Sequence, residues 1–135
     1  MKVGIDSYCY HRFFGEVYPT QKPAAVPYTM ETFLDRAKQL GCDGVSLESC
    51  FFPEFSEGYL TGLRHRLDEL GFDRVYAWGH PDGLEGGGSV KAREEMLAHI
   101  DHARLIGAPV MRVVGSSLMF RFEPHEPQLK ILAEW

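Results

Sequence analysis

Three stretches of this chain stop in the same way, at Leu40-Gly41, Leu70-Gly71 and Ile106-Gly107. Glycine supplies the left-handed residue that ends a helix at little cost, so each pair reads as a helix terminus. Each stop is followed by a short apolar run: Val45-Ser46-Leu47, then Val75-Tyr76-Ala77-Trp78, then Val110-Met111-Arg112-Val113-Val114. A further strand, Lys2 to Ser7, opens the chain. Strands that alternate with helices in this way predict a parallel sheet covered by helices and joined by right-handed crossovers.

The helices are amphipathic by spacing. Met30, Phe33, Leu34, Ala37 and Leu40 fall on one stripe, and Glu31, Asp35, Arg36 and Lys38 fall elsewhere. Leu60, Leu63, Leu67 and Leu70 repeat the stripe, and Met96, Leu97, Ile100 and Ala103 supply it in the third helix. Thr29 and Ser89 each precede the first apolar residue of a helix and are suited to cap it. A fourth helix is expected from near Pro127 through Leu129, Leu132 and Trp135.

The predicted class is therefore α/β, with residues 1–135 forming one domain. Two architectures share this element order, the open doubly wound sheet and the closed (β/α)8 barrel. An open dinucleotide-binding sheet wants a GxGxxG turn after its first strand, where this chain has Asp6-Ser7-Tyr8-Cys9-Tyr10-His11. Gly86-Gly87-Gly88 lacks the lysine-serine pair of a phosphate loop. The expected fold is thus a partial barrel, its first four β/α units, because a complete one takes roughly 200 residues or more. The run that stops mid-helix at Glu134-Trp135 leads to the expectation of a truncated barrel. Its open edges then need a C-terminal half or homo-oligomerisation to cover them.

Charge and composition narrow the function. With 44% hydrophobic residues, 13% aromatic residues and a formal net charge of -5, the chain has core-forming material and no basic stripe with which to neutralise phosphates. Nucleic acid is not an expected partner. No apolar run approaches the ~20 residues of a membrane span, and no basic-then-apolar leader precedes the first strand. A cytoplasmic protein without a membrane partner is expected. Cys9, Cys42 and Cys50 show no zinc-like spacing and read as reduced thiols, with Cys50 just beyond a strand end.

In a barrel the working residues lie at the carboxyl ends of strands and on the loops that follow. That rule selects Ser7, Tyr8, Tyr10, His11, Phe13 and Phe14 after the first strand, Glu48 at the end of the second, Trp78 and His80 at the end of the third, and Arg112 in the fourth, followed by Gly115. Glu48 can accept hydrogen bonds from sugar hydroxyls or move a proton; the alternative is an ion-paired glutamate. His80 has a near-neutral pKa suited to ligand contact or acid-base work, against a structural histidine. These two are the catalytic candidates. Arg112 interrupts an apolar strand and must be paired, solvated or ligand-bound, with Glu48 a possible partner. Tyr8, Tyr10, Phe13 and Trp78 can wall a sugar ring or an aromatic aglycone, or simply pack the core. Ser7, Tyr8, Tyr10, His11, Phe13, Trp78 and Arg112 form the expected substrate-binding set. His99 and His102 have metal-like spacing, but their mid-helix place predicts a solvated outer face; His65 is read likewise, and His125 is read as a loop residue.

The segments Val3-Gly4-Ile5-Asp6-Ser7-Tyr8, Gly41-Cys42-Asp43-Gly44-Val45-Ser46-Leu47-Glu48, Trp78-Gly79-His80 and Ile106 to Gly115 resemble the xylose-isomerase-like barrel superfamily of sugar phosphate isomerases/epimerases. The resemblance spans the chain and is strongest around Glu48. It implies an isomerase or epimerase of carbohydrate metabolism acting on a small sugar, with a divalent metal (Mn, Mg, Co or Zn) held by carboxylates and a histidine on strands five to eight. This chain would then carry no metal ligand, bind no metal tightly and be inactive by itself. The segment Tyr10-His11-Arg12-Phe13-Phe14-Gly15-Glu16 also looks like the opening of barrel subunits of C-glycoside deglycosidases. A non-catalytic sugar-binding or assembly module is the remaining alternative.

Overall fold

The computed structural model describes residues 1–79, 84, 88–115 and 125–134. Strands β1 (Gly4–Asp6), β2 (Gly44–Glu48), β3 (Asp73–Trp78) and β4 (Val110–Val113) alternate with helices α1 (Met30–Gln39), α2 (Glu57–Leu70), α3 (Val90–Ile106) and α4 (His125–Ala133). Among the described residues the sheet has the order β1-β2-β3-β4, and every neighbouring pair is parallel. The chain is thus α/β, with a parallel four-stranded sheet. Among the described residues no helix is long and apolar enough to cross a membrane.

Local chemistry sets the boundaries. Gly71 and Gly107 are left-handed caps at φ 70° and 73°, and Gly41, just past the α1 cap residue Leu40, is left-handed too. The hydroxyls of Thr29, Ser56 and Ser89 each accept from the amide three residues on, capping α1, α2 and α3. Strand β1 is shorter than expected. The Asp6 carboxylate accepts from the Tyr8 amide at 2.8 Å and turns the chain into a 3-10 helix over Ser7–Phe13. Helix α4 begins at His125, two residues before Pro127, so His125 is helical rather than a loop residue.

The amino ends of the first three strands are stitched by Asp43. Its carboxylate accepts from the Val3 amide at 2.7 Å, its amide donates to the Val3 carbonyl, and its own carbonyl accepts from the Asp73 amide. Glycine follows because a Cβ at Gly44 would lie 2.8 Å from the Asp73 carbonyl oxygen.

Strand alternation sorts the sheet into two faces. Val45, Leu47, Tyr76 and Trp78 point to the helices, where they join Phe33, Leu34, Leu60, Leu63 and Leu67 in the apolar core; Ile5 and Met111 pack against it. Each fully buried Leu or Phe there contributes roughly 1.5–3 kcal/mol. The alternate residues, Asp6, Ser46, Glu48, Val75, Ala77, Val110 and Arg112, occupy the opposite face in register.

Two helix faces differ from expectation. Leu40 is 48% exposed, and on α3 Leu97 and Ile100 are 48% and 51% exposed, while Ala92, Ala103 and Ile106 are buried. Helix α3 is rolled so that His99, not Ile100, meets the sheet. His99 Nδ1 shares a hydrogen bond with the Tyr76 hydroxyl, and the His99 ring lies against Phe55 and Trp78. His102 stacks on Phe55 at 4.8 Å. Neither histidine is on a fully solvated outer face: both are partly buried, His99 in the α3–β3 seam where Tyr76 partners it and His102 against Phe55.

Candidate functional site

A cavity of about 740 Å³ opens at the carboxyl ends of the strands. Its chemistry comes from the carboxylates of Asp6, Glu16 and Glu48 and the guanidinium of Arg112, with Tyr8 and the thiol-bearing Cys9 and Cys50 around them. A comparable hollow, about 750 Å³, lies at the amino ends near Lys2 and Asp73. Those two charges already pair at 2.6 Å, and both are exposed.

Glu48 is the last residue of β2 and is 7% exposed. Its backbone amide donates to the Ser7 hydroxyl at 2.8 Å, so the fully buried Ser7 latches the end of β1 to the end of β2. In register, Glu48 pairs with Ala77 and Ala77 with Arg112. Ala77 is wholly buried yet outside the apolar core cluster. Its single methyl leaves room for Arg112 to reach across β3 and donate to Glu48 Oε1. The same nitrogen lies 3.6 Å from Asp6 Oδ2 on β1. A buried carboxylate needs such a compensating charge, because its desolvation alone is strongly unfavourable.

The loop beyond the 3-10 helix adds Glu16. The Tyr8 and Tyr18 hydroxyls share one hydrogen bond, and their second proton goes to Glu16 Oε1, which lies 3.0 Å from the Tyr8 oxygen and 3.5 Å from that of Tyr18. These partners, with burial, push the Tyr8 phenol above its usual range, the Tyr18 hydrogen bond contributing most. His11 holds the loop in place, its Nδ1 2.7 Å from the Glu16 carbonyl and its ring 4.9 Å from that of Tyr18. The Cys50 thiol is pushed up by burial and by the Glu16 and Asp6 charges, which disfavours a thiolate nucleophile.

Of the expected set, Tyr8, Glu48 and Arg112 meet at the cavity. Ser7 and His11 support it from behind. Tyr10 and Phe13 instead pack with Tyr28, and Tyr10 also meets Phe33, so they belong to the core margin. Trp78 is 2% exposed and faces the helices, since it shares its strand face with Tyr76. His80 lies outside the described residues. Glu16 and Asp6 stand outside the set expected from strand ends and following loops. Asp6 carried a signal, its place at the end of β1, whereas nothing local marks Glu16, which reaches the site only through the loop's return.

A metal centre needs several convergent donors. Among the described residues no three His, Cys, Asp or Glu side chains are grouped to hold one, and Asp6 and Glu48 both face Arg112. The described residues therefore do not fit a complete metal site. In comparisons with known proteins, the chain matches no family model and no curated protein.

Proposed function

We propose that this chain is the sugar-facing first half of a (β/α)8 barrel enzyme of the isomerase/epimerase type. The observation that carries the reading is Arg112, which meets carboxylates of both β2 and β1 at the carboxyl ends of the strands. On a flat sheet β4 and β1 are separated by three strand spacings, roughly 14 Å. Arg112 and Asp6 span that distance with their side chains and meet at 3.6 Å over the face opposite the helices, as they would on the inner wall of a barrel. The chain-order parallel sheet, with its apolar core on one face only, supports the same reading, because parallel sheets are stable with both faces covered.

On this reading Asp6, Glu16 and Glu48 accept hydrogen bonds from sugar hydroxyls, the Tyr8 ring flanks the sugar, and Arg112 keeps Glu48 aimed along the rim. Glu48 is the carboxylate nearest to a proton-transfer role, and Arg112 must move from it before it can act as a base. The resemblance to metal-dependent isomerases assigns the metal ligands to strands this chain does not carry, so no step is derived through a metal.

The test is solvent-deuterium exchange at the carbon beside the carbonyl of a ketose, followed by NMR with added manganese. The 135-residue chain should bind the ketose without exchange, and a protein that continues into four further β/α units should catalyse it. Robust exchange by the chain alone, or none by the longer protein, sinks the reading. The Glu48–Arg112 pair also fits a non-catalytic sugar-binding module, and binding without exchange in the longer protein would select that alternative.

A further inference from the structure

The cavity's described charged side chains are three carboxylates, Asp6, Glu16 and Glu48, and one guanidinium, Arg112. That guanidinium is already shared between Glu48 and Asp6. A phosphate or carboxylate entering here would compete with two carboxylates for one cation while facing a third at Glu16. Hydrogen-bonding character points the same way. Ionised carboxylates only accept, and the Tyr8 hydroxyl already donates to Glu16, so among the described residues acceptors dominate the wall and its remaining strong donors are those of the Arg112 guanidinium. A matching ligand donates from several hydroxyls.

From this, and resting on the sugar-binding reading above, we infer that the ligand presents to this wall a polyol face without an anionic group, so that this chain takes a free sugar in preference to a sugar phosphate or sugar acid. The Tyr8 ring, 39% exposed beside its stacking partners His11 and Phe51, supplies apolar surface for the carbon skeleton, and the carboxylates sort the hydroxyls. Glu16 is the discriminating residue, because its charge is not neutralised by Arg112 and it sits on a loop rather than on the sheet.

The experiment titrates the 135-residue chain with D-fructose, D-fructose 1-phosphate and D-fructose 6-phosphate at matched ionic strength, following the backbone amides of Tyr8, Cys9 and Gly79 by NMR. Free fructose should shift these amides at a concentration roughly tenfold or more below either phosphate. Glu16→Gln should narrow that gap by about threefold or more, since it removes one repelling charge and keeps the side chain's shape. A phosphate that binds as tightly as the free sugar overturns the inference while leaving a sugar site in place. A gap unchanged in Glu16→Gln overturns it too, by removing Glu16 as its source. If none of the three sugars moves these amides, the sugar-binding reading falls and the inference with it.

Discussion

Arg112 of β4 donates to the carboxylate of Glu48 of β2 across the methyl of Ala77, the residue in register between them. The Glu48 side chain is 9% exposed and that of Arg112 46%, so a buried anion is compensated by a cation that still reaches water. Removing the cation therefore matters more than an exposed pair would suggest. Arg112→Met should cost about 2 kcal/mol in urea unfolding, below the ~3–5 kcal/mol of a fully buried pair because the guanidinium is half-exposed. Arg112→Lys should recover only part of this, as one ammonium replaces a fork of donors. An unchanged midpoint in Arg112→Met would show that the pair contributes nothing.

Ala77 is the gap through which the pair forms. Ala77→Leu should cost about 1–3 kcal/mol by overpacking and hold Arg112 away from Glu48. In the Ala77→Leu background, Arg112→Met should then cost less than half of what it costs in the native chain. Strict additivity of the two substitutions in a double-mutant cycle would refute that coupling.

The His99 ring is neutral in the fold, its pKa lowered by burial, and by nearby His102, from 6.5 to about 4. Below pH 6.5 the unfolded chain takes up this proton and the folded chain does not, so stability present at neutral pH is lost as pH falls from about 6.5 toward 4. His102 is shifted the same way by burial and adds to the trend. The ring is half-exposed, so the loss should be about 1–2 kcal/mol, well under the full shift. His99→Gln, which can keep a hydrogen bond to Tyr76, should flatten urea midpoints between pH 7 and 5. A slope identical to that of the native chain would exclude His99 as its source.

Two glycines should respond differently to alanine. A Cβ at Gly44 would sit 2.8 Å from the Asp73 carbonyl oxygen, inside a strand pair stitched by Asp43, so Gly44→Ala should cost about 2–3 kcal/mol. Gly41 has φ 73° and open space around it, so Gly41→Ala should cost about 1 kcal/mol, from backbone strain alone. Thermal melts that reverse this order would contradict the close approach of β2 and β3.

Much of the fold is written in short-range rules. The caps at Thr29 and Ser89, the stops at Gly41, Gly71 and Gly107, and the apolar runs of β2, β3 and β4 each depend on residues a few positions apart. The misreadings lie where partners are remote. Leu97 and Ile100 fit a helical stripe as well as Ala92 and Ile106 do, and only the partner at Tyr76 turned His99 inward. Trp78 closes an apolar run at a strand end, and only the pairing of strand faces sent it to the helices rather than the rim.

The amino-acid order by itself determined that strands and helices alternate, that the strands run parallel, and that Glu48 ends β2, because hydrogen-bonded caps and side-chain periodicity act within one turn or one strand. Only the tertiary structure decided that Arg112 would cross Ala77 to reach Glu48 and Asp6, and that Glu16 would return to the same cavity. Those contacts join residues far apart in the chain, and their existence depends on sheet register and loop path, which local spacing does not encode.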